Sequence, residues 1–168
     1  VNAMASYTLA RALNLADYEL PEDSRNLAAE KGPASTDIRH AVTSAAVWQV
    51  PGRSALTRGW SVAGTLIARS GRPYTVTWGD DRSGTTQNDA RPGGRNTRRT
   101  GPYRTVDVAL IRRLHASASD IDARVEVFNL LDAVNYDAYV GALLSPLFGR
   151  PVSAYPARRV QLTVVARF

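Results

Sequence analysis

The stretch Ile121-Asp122-Ala123-Arg124-Val125-Glu126-Val127 decides the fold, because four apolar and three charged side chains alternate along it without a break. Successive side chains of a β-strand point to opposite faces of a sheet, so this period of two predicts a strand with one apolar and one polar face. Two further stretches, 105–110 and 160–168, keep the same period, with Val165 as the only apolar residue on the polar side of the second. Three such strands predict an all-β protein.

Turn residues separate these strands from earlier ones that alternate less regularly. Pro51-Gly52 closes the run 41–50, and Gly71-Arg72-Pro73 interrupts the run 60–78. The first strand is also compatible with a helix, because its alanines are good helix formers. We predict about six long antiparallel strands in a meander, at residues 1–13, 37–51, 57–78, 103–115, 121–132 and 157–168.

The connections between the predicted strands alternate strictly in length. Those at 51–57 and 116–120 are short, whereas those at 14–36, 79–102 and 133–156 are long and polar. Every second connection of a meander lies at the same end of the sheet, so the short turns and the long loops fall at opposite ends. Transmembrane β-barrels have this asymmetry. The sequence therefore predicts a curved open portion of a large transmembrane β-barrel.

The composition excludes several classes of protein. The 168 residues suffice for one domain of ordinary size, which excludes a two-domain enzyme. There is no cysteine, which excludes disulfides and zinc sites built on thiolates. No apolar run approaches the ~18 residues that a membrane-spanning helix needs.

The chain is basic, with 21 basic residues against 15 acidic ones, and Lys31 is its only lysine. A basic balance is typical of nucleic-acid-binding proteins, so a soluble basic β-domain that binds nucleic acid or another polyanion is the alternative to a barrel. Arginines concentrate between Arg91 and Arg104, where Tyr103 is the one aromatic residue nearby. Because nucleic-acid-binding sheets interleave aromatic with basic side chains, we expect no nucleic-acid partner.

Aromatic residues lie toward both ends of the predicted strands. Trp48 and Trp60 flank the turn at 51–57, and they would pair across the hairpin if its centre is near residue 54. This placement is expected of the aromatic girdles of a membrane barrel, although aromatic residues also stabilise the strands of soluble sandwiches. The residues that would form a second girdle near the long loops are Tyr74, Trp78, Tyr103 and Tyr136.

Catalytic and metal-binding patterns are missing from the sequence. It has no His-x-x-x-His pair, no Gly-x-Ser-x-Gly and no phosphate-binding glycine loop, so we predict neither an enzyme nor a cofactor. Asp80, Asp81 and Asp89 share one predicted loop, but they lack the spacing of a known calcium loop. We therefore predict a solvated loop rather than a metal site.

Several short stretches, spread over nearly the whole chain, occur in a specific order and spacing. They are YTLARAL at 7–13, DIRH at 37–40, WQVP at 48–51, GW at 59–60, SGRPYT at 70–75, NDARP at 88–92, TVDV at 105–108, EVFNLL at 126–131, NY at 135–136 and RVQ at 159–161. Together they resemble the C-terminal barrel segment of TonB-dependent outer-membrane receptors, most closely the subgroup with an N-terminal carboxypeptidase-regulatory-like domain.

The resemblance implies a location, a function and partners. It implies that residues 1–168 are a single partial domain in the bacterial outer membrane, without the plug domain and the earlier strands of the receptor. The segment would then supply wall and extracellular loops to a ligand uptake channel. The implied partners are outer-membrane lipid, the barrel assembly machinery during biogenesis, and TonB through the N-terminal parts. The transported ligand stays open.

Two sets of residues are candidate sites under this resemblance. The alternating apolar residues of the last strand resemble the signal that the barrel assembly machinery recognises, since an apolar edge strand can be captured by strand addition. This signal comprises Val160, Leu162, Val164, Ala166 and Phe168. The arginines of the predicted extracellular loop would draw an anionic ligand or lipopolysaccharide phosphates to the outer mouth, or would simply be solvated. These candidates are Arg91, Arg95, Arg98 and Arg99.

Overall fold

The computed structural model describes residues 1–17, 21–54, 56–82, 84, 86, 90–116 and 119–167. Its main feature is one antiparallel sheet of six strands in which each strand pairs with the next along the chain. The prediction of an all-β meander is thus confirmed. The strands are Asn2–Leu9 (β1), His40–Gln49 (β2), Trp60–Arg69 (β3), Tyr103–Ala116 (β4), Ser119–Phe128 (β5) and Arg159–Arg167 (β6).

The first and third strands are shorter than the sequence predicts. β3 ends at Arg69, and the chain then passes so close to the far end of the same connection that a Cβ on Gly71 would lie 1.9 Å from the carbonyl oxygen of Thr100. The rest of the predicted third strand forms a separate ribbon, in which Pro73–Tyr74 pairs with Arg98–Arg99. The first strand, predicted to extend to residue 13, likewise ends early, with β1 ending at Leu9.

The remaining regular structure belongs to the three long connections. One two-stranded ribbon joins Leu13–Asn14 to Gly32–Pro33, and another joins Tyr136–Tyr139 to Pro151–Ala154. Leu27–Glu30 is a short 3-10 helix. Among the described residues, no helical segment has the length and hydropathy needed to cross a membrane. The predicted alternation of short turns and long loops is confirmed, with the long loops at 10–39, 70–102 and 129–158.

The register sorts the side chains onto two chemically different faces. One row of directly opposed residues crosses four strands as Val62, Leu110, Val125 and Leu162. The neighbouring row on the other face contains Arg124 and Thr163. On the apolar face Leu110 is 40% exposed, Val125 38% and Leu162 73%, so no described segment covers it. We call the two sides the apolar face and the polar face.

The sheet is open at both sides. Within the described ranges, β1 pairs only with β2, and β6 pairs only with β5. Each outer strand therefore presents a row of backbone N–H and C=O groups that lack a strand partner. Closing the sheet into a barrel requires further strands at these two edges.

The predicted direct pairing of the two tryptophans across the first short turn is wrong by two residues of the register. Trp48 lies opposite Val62, whereas Trp60 lies opposite Val50, whose N–H donates to the Trp60 carbonyl at 2.9 Å. Both indoles still occupy the apolar face as diagonal neighbours. At the other end, Tyr103 lies on the polar face, so the predicted second girdle does not include it.

Candidate functional site

The described parts of the three long connections pack together beyond the ends of the strands and form what we call the loop layer. Leu143 donates its N–H to the Thr77 carbonyl at 2.9 Å, which joins the second connection to the third. The rings of Tyr74 and Tyr139 stack with their centroids 5.8 Å apart. The second connection is joined to the first by buried polar side chains, described next.

Arg95 is the central residue of this polar contact and is only 2% exposed. Its Nε donates to the Glu30 carbonyl at 2.9 Å, and its Nη1 donates to Asp17 Oδ2 at 3.1 Å. Its Nη2 donates to the backbone carbonyl and the side-chain oxygen of Asn14, at 2.9 and 2.6 Å. One guanidinium therefore holds three separate points of the first connection.

Two more arginines of the second connection pair with acidic residues of the first. Arg91 donates to both carboxylate oxygens of Glu30, at 2.7 and 2.8 Å, and to Glu22 at 3.0 Å. Arg99 donates to the Asp37 carboxylate and, at 2.8 Å, to the Asp37 carbonyl. These pairs neutralise much of the positive charge that the sequence concentrates in this segment.

The four candidate ligand-binding arginines therefore differ in environment. Arg91, Arg95 and Arg99 are engaged with carboxylates inside the loop layer. Arg98 is exposed, and its guanidinium carbon lies 5.7 Å from the ring centroid of Phe148. The predicted role in attracting anions stays a prediction, whereas the alternative of a solvated loop is wrong for the buried Arg95.

The acidic partners in the loop layer have lowered pKa values. Burial alone would raise the pKa of Glu30, but the hydrogen bonds that it accepts from Arg91 and from the Glu22 N–H, together with the charges of Arg91 and Arg95, hold that pKa below its ordinary value. Burial would likewise raise the pKa of Asp37, but hydrogen bonds from the Ala12 N–H, Arg99 and Arg39, together with the charge of Arg99, hold that pKa below its ordinary value. Both carboxylates are therefore ionised at neutral pH and hold the arginines in place.

We expect the loop layer to loosen in acid. Asp17, Glu30 and Asp37 have pKa values below their ordinary 3.8, 4.5 and 3.8, because hydrogen bonds and arginine charges together outweigh burial in each. A lowered folded-state pKa contributes stability above the unfolded-state pKa, and this contribution is lost as the pH falls through the folded-state pKa. Hydrogen exchange in the loops, corrected for the intrinsic rate, should accelerate below about pH 4. Exchange that instead accelerates from pH 4 to pH 7 would contradict this.

The polar face carries charges along its whole length. The prediction that five charged strand residues share this face is confirmed by the register; they are Asp107, Arg124, Glu126, Arg159 and Arg167. In the half nearer the short turns, Arg113 and Arg167 each lie 3.1 Å from a carboxylate oxygen of Asp122. Arg124 lies 3.4 Å from Glu126.

At the long-loop end of the polar face, two arginines contact aromatic rings instead. The guanidinium carbon of Arg69 lies 4.4 Å from the ring centroid of Tyr103, and Arg69 Nη2 donates to the Tyr155 hydroxyl at 3.4 Å. The guanidinium carbon of Arg159 lies 5.3 Å from the ring centroid of Phe128. We call these five residues the mouth patch.

Sequence reasoning missed the mouth patch. The alternation of β3 and β4 places Arg69 and Tyr103 on the same face, so this cross-strand pair could have been found from a correct register. Tyr155 could not, because it belongs to a loop 86 residues away from Arg69 in sequence.

A tight turn positions the chain that leads into the third connection. Asn129 has a φ of 52°, in the left-handed region that asparagine tolerates better than most residues. Its N–H donates to Asp107 at 2.8 Å, and its side chain exchanges two hydrogen bonds with Ala133, both at 3.0 Å. The Asp107 carboxylate is thereby used in fixing the turn beside the mouth patch.

The predicted assembly signal lies on an open edge of the sheet. Val160, Leu162, Val164 and Ala166 all project from the apolar face of β6, opposite Val127, Val125, Ala123 and Ile121. Phe168 lies outside the described residues, so the recognition role stays a prediction. In the loop that we predict to be solvated rather than metal-binding, Asp80 pairs with Arg82 at 2.9 Å, and Asp89 also lies outside the described residues.

Comparison with models of known protein families gives a match over the first part of the chain. The family model described as outer membrane beta barrel domain matches residues 1–94, which contain β1 to β3 and the first long connection. No curated protein and no solved structure matches the chain.

Proposed function

The chain belongs to the outer membrane beta barrel domain family and lies in the bacterial outer membrane, and from that premise we propose that it supplies wall and loops to a TonB-dependent transport receptor. In such a barrel the apolar face contacts lipid, and the polar face lines a wet lumen. The long loops are then extracellular and the short turns periplasmic. The alternative of a soluble basic β-domain is wrong, because the family is one of membrane barrels.

The open sheet is the observation that carries the proposal. The two outer strands lack partners within the described ranges, and each unpaired backbone group costs several kcal/mol in lipid. The six strands therefore require further strands, and the diameter of a barrel grows with their number. A large barrel with a charged lumen suits a receptor that admits a bulky solute. The short sequence stretches whose order and spacing resemble those of TonB-dependent receptors support the same proposal.

The proposal includes three partners. Outer-membrane lipid would cover the apolar face, and the barrel assembly machinery would capture the exposed edge of β6 by strand addition. TonB would act through a plug domain and a TonB-binding segment that lie outside these residues.

The experiment uses the receptor that contains this chain, purified in detergent and inserted into planar bilayers. We expect no open conductance at rest, because a plug closes the lumen of such receptors. We also expect saturable binding of the periplasmic domain of TonB, which should vanish when the proposed TonB-binding segment is removed. A steady open conductance without TonB binding would contradict the proposal and indicate a passive pore.

A further inference from the structure

The polar face distributes its charge unevenly between its two ends. Toward the short turns, the arginines of the polar face are each within 3.4 Å of a carboxylate oxygen. At the long-loop end, Arg69 and Arg159 have no carboxylate within the 4.0 Å of an ion pair among the described residues. These two guanidinium groups are thus not held in an ion pair with a described carboxylate where a solute would enter the lumen.

The aromatic rings of the mouth patch hold the two guanidinium groups without neutralising them. A guanidinium over a ring is attracted by the negative ring face and keeps its full charge. Arg69 lies between Tyr103 and Tyr155, whose rings are 5.0 Å apart and nearly perpendicular. Its contact with the Tyr155 hydroxyl uses one of the five N–H donors of the guanidinium. The remaining donors can bind an anion.

A cavity of about 110 Å³ opens beside these groups. Tyr103, Phe128, Tyr155 and Arg159 line it together with Asp107. The Asp107 carboxylate accepts hydrogen bonds from the Thr105 hydroxyl and the Asn129 N–H, so it is held to the wall. The lining thus contains the guanidinium of Arg159, which is not in an ion pair with any described residue, and the aromatic rings that surround it.

We propose that the mouth patch binds an organic carboxylate with a planar or apolar body as it enters the lumen. A guanidinium fork matches the two oxygens of a carboxylate, and the aromatic walls match a ring or a hydrocarbon body. Inorganic phosphate would use the guanidinium alone and would leave the aromatic surface unused. This inference rests on the proposed function, because it names the class of solute that the lumen admits.

The test measures the binding of benzoate to the assembled receptor in nanodiscs by saturation-transfer NMR. Neutral benzamide serves as the comparison ligand. Benzoate should bind about tenfold more tightly than benzamide, since charge-assisted hydrogen bonds are the stronger kind. Arg159→Gln should weaken benzoate binding by about tenfold. Arg69→Gln is a second variant on a different strand, with the same expected direction.

The matched control is Arg124→Gln, which removes a polar-face arginine that is paired with Glu126. It should leave benzoate affinity within about twofold of the wild type, since the general lumen potential is screened by salt. Equal binding of benzamide, or an unchanged affinity in Arg159→Gln, would overturn the inference. An equal loss in Arg124→Gln would also overturn it, because the lumen would then attract anions without a site. Binding is measured without TonB, so its failure is distinct from failure of TonB coupling.

Discussion

Replacing Arg95 by methionine is expected to destabilise the loop layer by about 3–5 kcal/mol, the range measured when one partner of a buried ion pair is removed. The Arg95 side chain is 2% exposed, and those of Glu30 and Asp17 are 4% and 13% exposed. Methionine fills much of the space but leaves both carboxylates without this cation. The first connection would then lose its attachment to the second at three points.

Limited proteolysis and hydrogen exchange of the assembled barrel measure this effect. We expect the loops to be cleaved and exchanged much faster in Arg95→Met, while the strands stay protected. Arg98→Met is the matched control, since Arg98 lies in the same segment but its side chain is exposed, with the guanidinium carbon 5.7 Å from the ring centroid of Phe148. Equal protection of the loops in Arg95→Met and the wild type would show that the buried pairs are not needed.

The strands could be predicted because the alternation of side chains that defines them is contained in a few consecutive residues. In β5 the side chains alternate with the period of the backbone itself, so seven residues suffice to assign a strand and both of its faces. The same holds for β6. The ends of β3 were harder to assign, because Pro73 and Tyr74 continue the apolar pattern while pairing with Arg99 and Arg98 across a loop.

The loop layer could not be predicted because its contacts join distant parts of the chain. Arg95 bonds Glu30, Asp17 and Asn14 across 65, 78 and 81 residues. A sequence shows arginines in one segment and carboxylates in another, but the pairing depends on how the folded sheet brings the loop bases together. Isolated charges in a long polar segment are usually solvated, and here their burial reverses that expectation.

The arginines of the loop layer and those of the mouth patch contact different groups. In the loop layer, the guanidinium groups form ion pairs with carboxylates and so hold the loops together. In the mouth patch, guanidinium groups rest on aromatic rings and keep donors available. Some arginines of the chain therefore stabilise the loops, and others are available for the proposed binding of anions. The net charge alone does not distinguish these two roles.

Val125→Arg is expected to destabilise the assembled barrel by about 2–4 kcal/mol, the cost of an arginine on the lipid face near the bilayer midplane. Val125 lies opposite Leu110 at the middle of β4 and opposite Leu162 on β6, so it is far from both ends of the sheet. Denaturant unfolding in lipid vesicles, followed by tryptophan fluorescence, measures the change in the free energy of unfolding.

Gln161→Arg is the matched control, because it adds the same side chain on the polar face at nearly the same depth. Gln161 neighbours Leu162 in β6 and lies opposite Glu126, which can pair with the new cation. We expect a change of less than about 1 kcal/mol, as for an exposed ion pair. The difference between the two variants reports which face meets lipid, since the two positions lie at nearly the same depth on neighbouring strands and differ in the side of the sheet from which they project. If Gln161→Arg proved the more costly variant, the apolar face would line the interior and the assignment of lipid and lumen would be reversed.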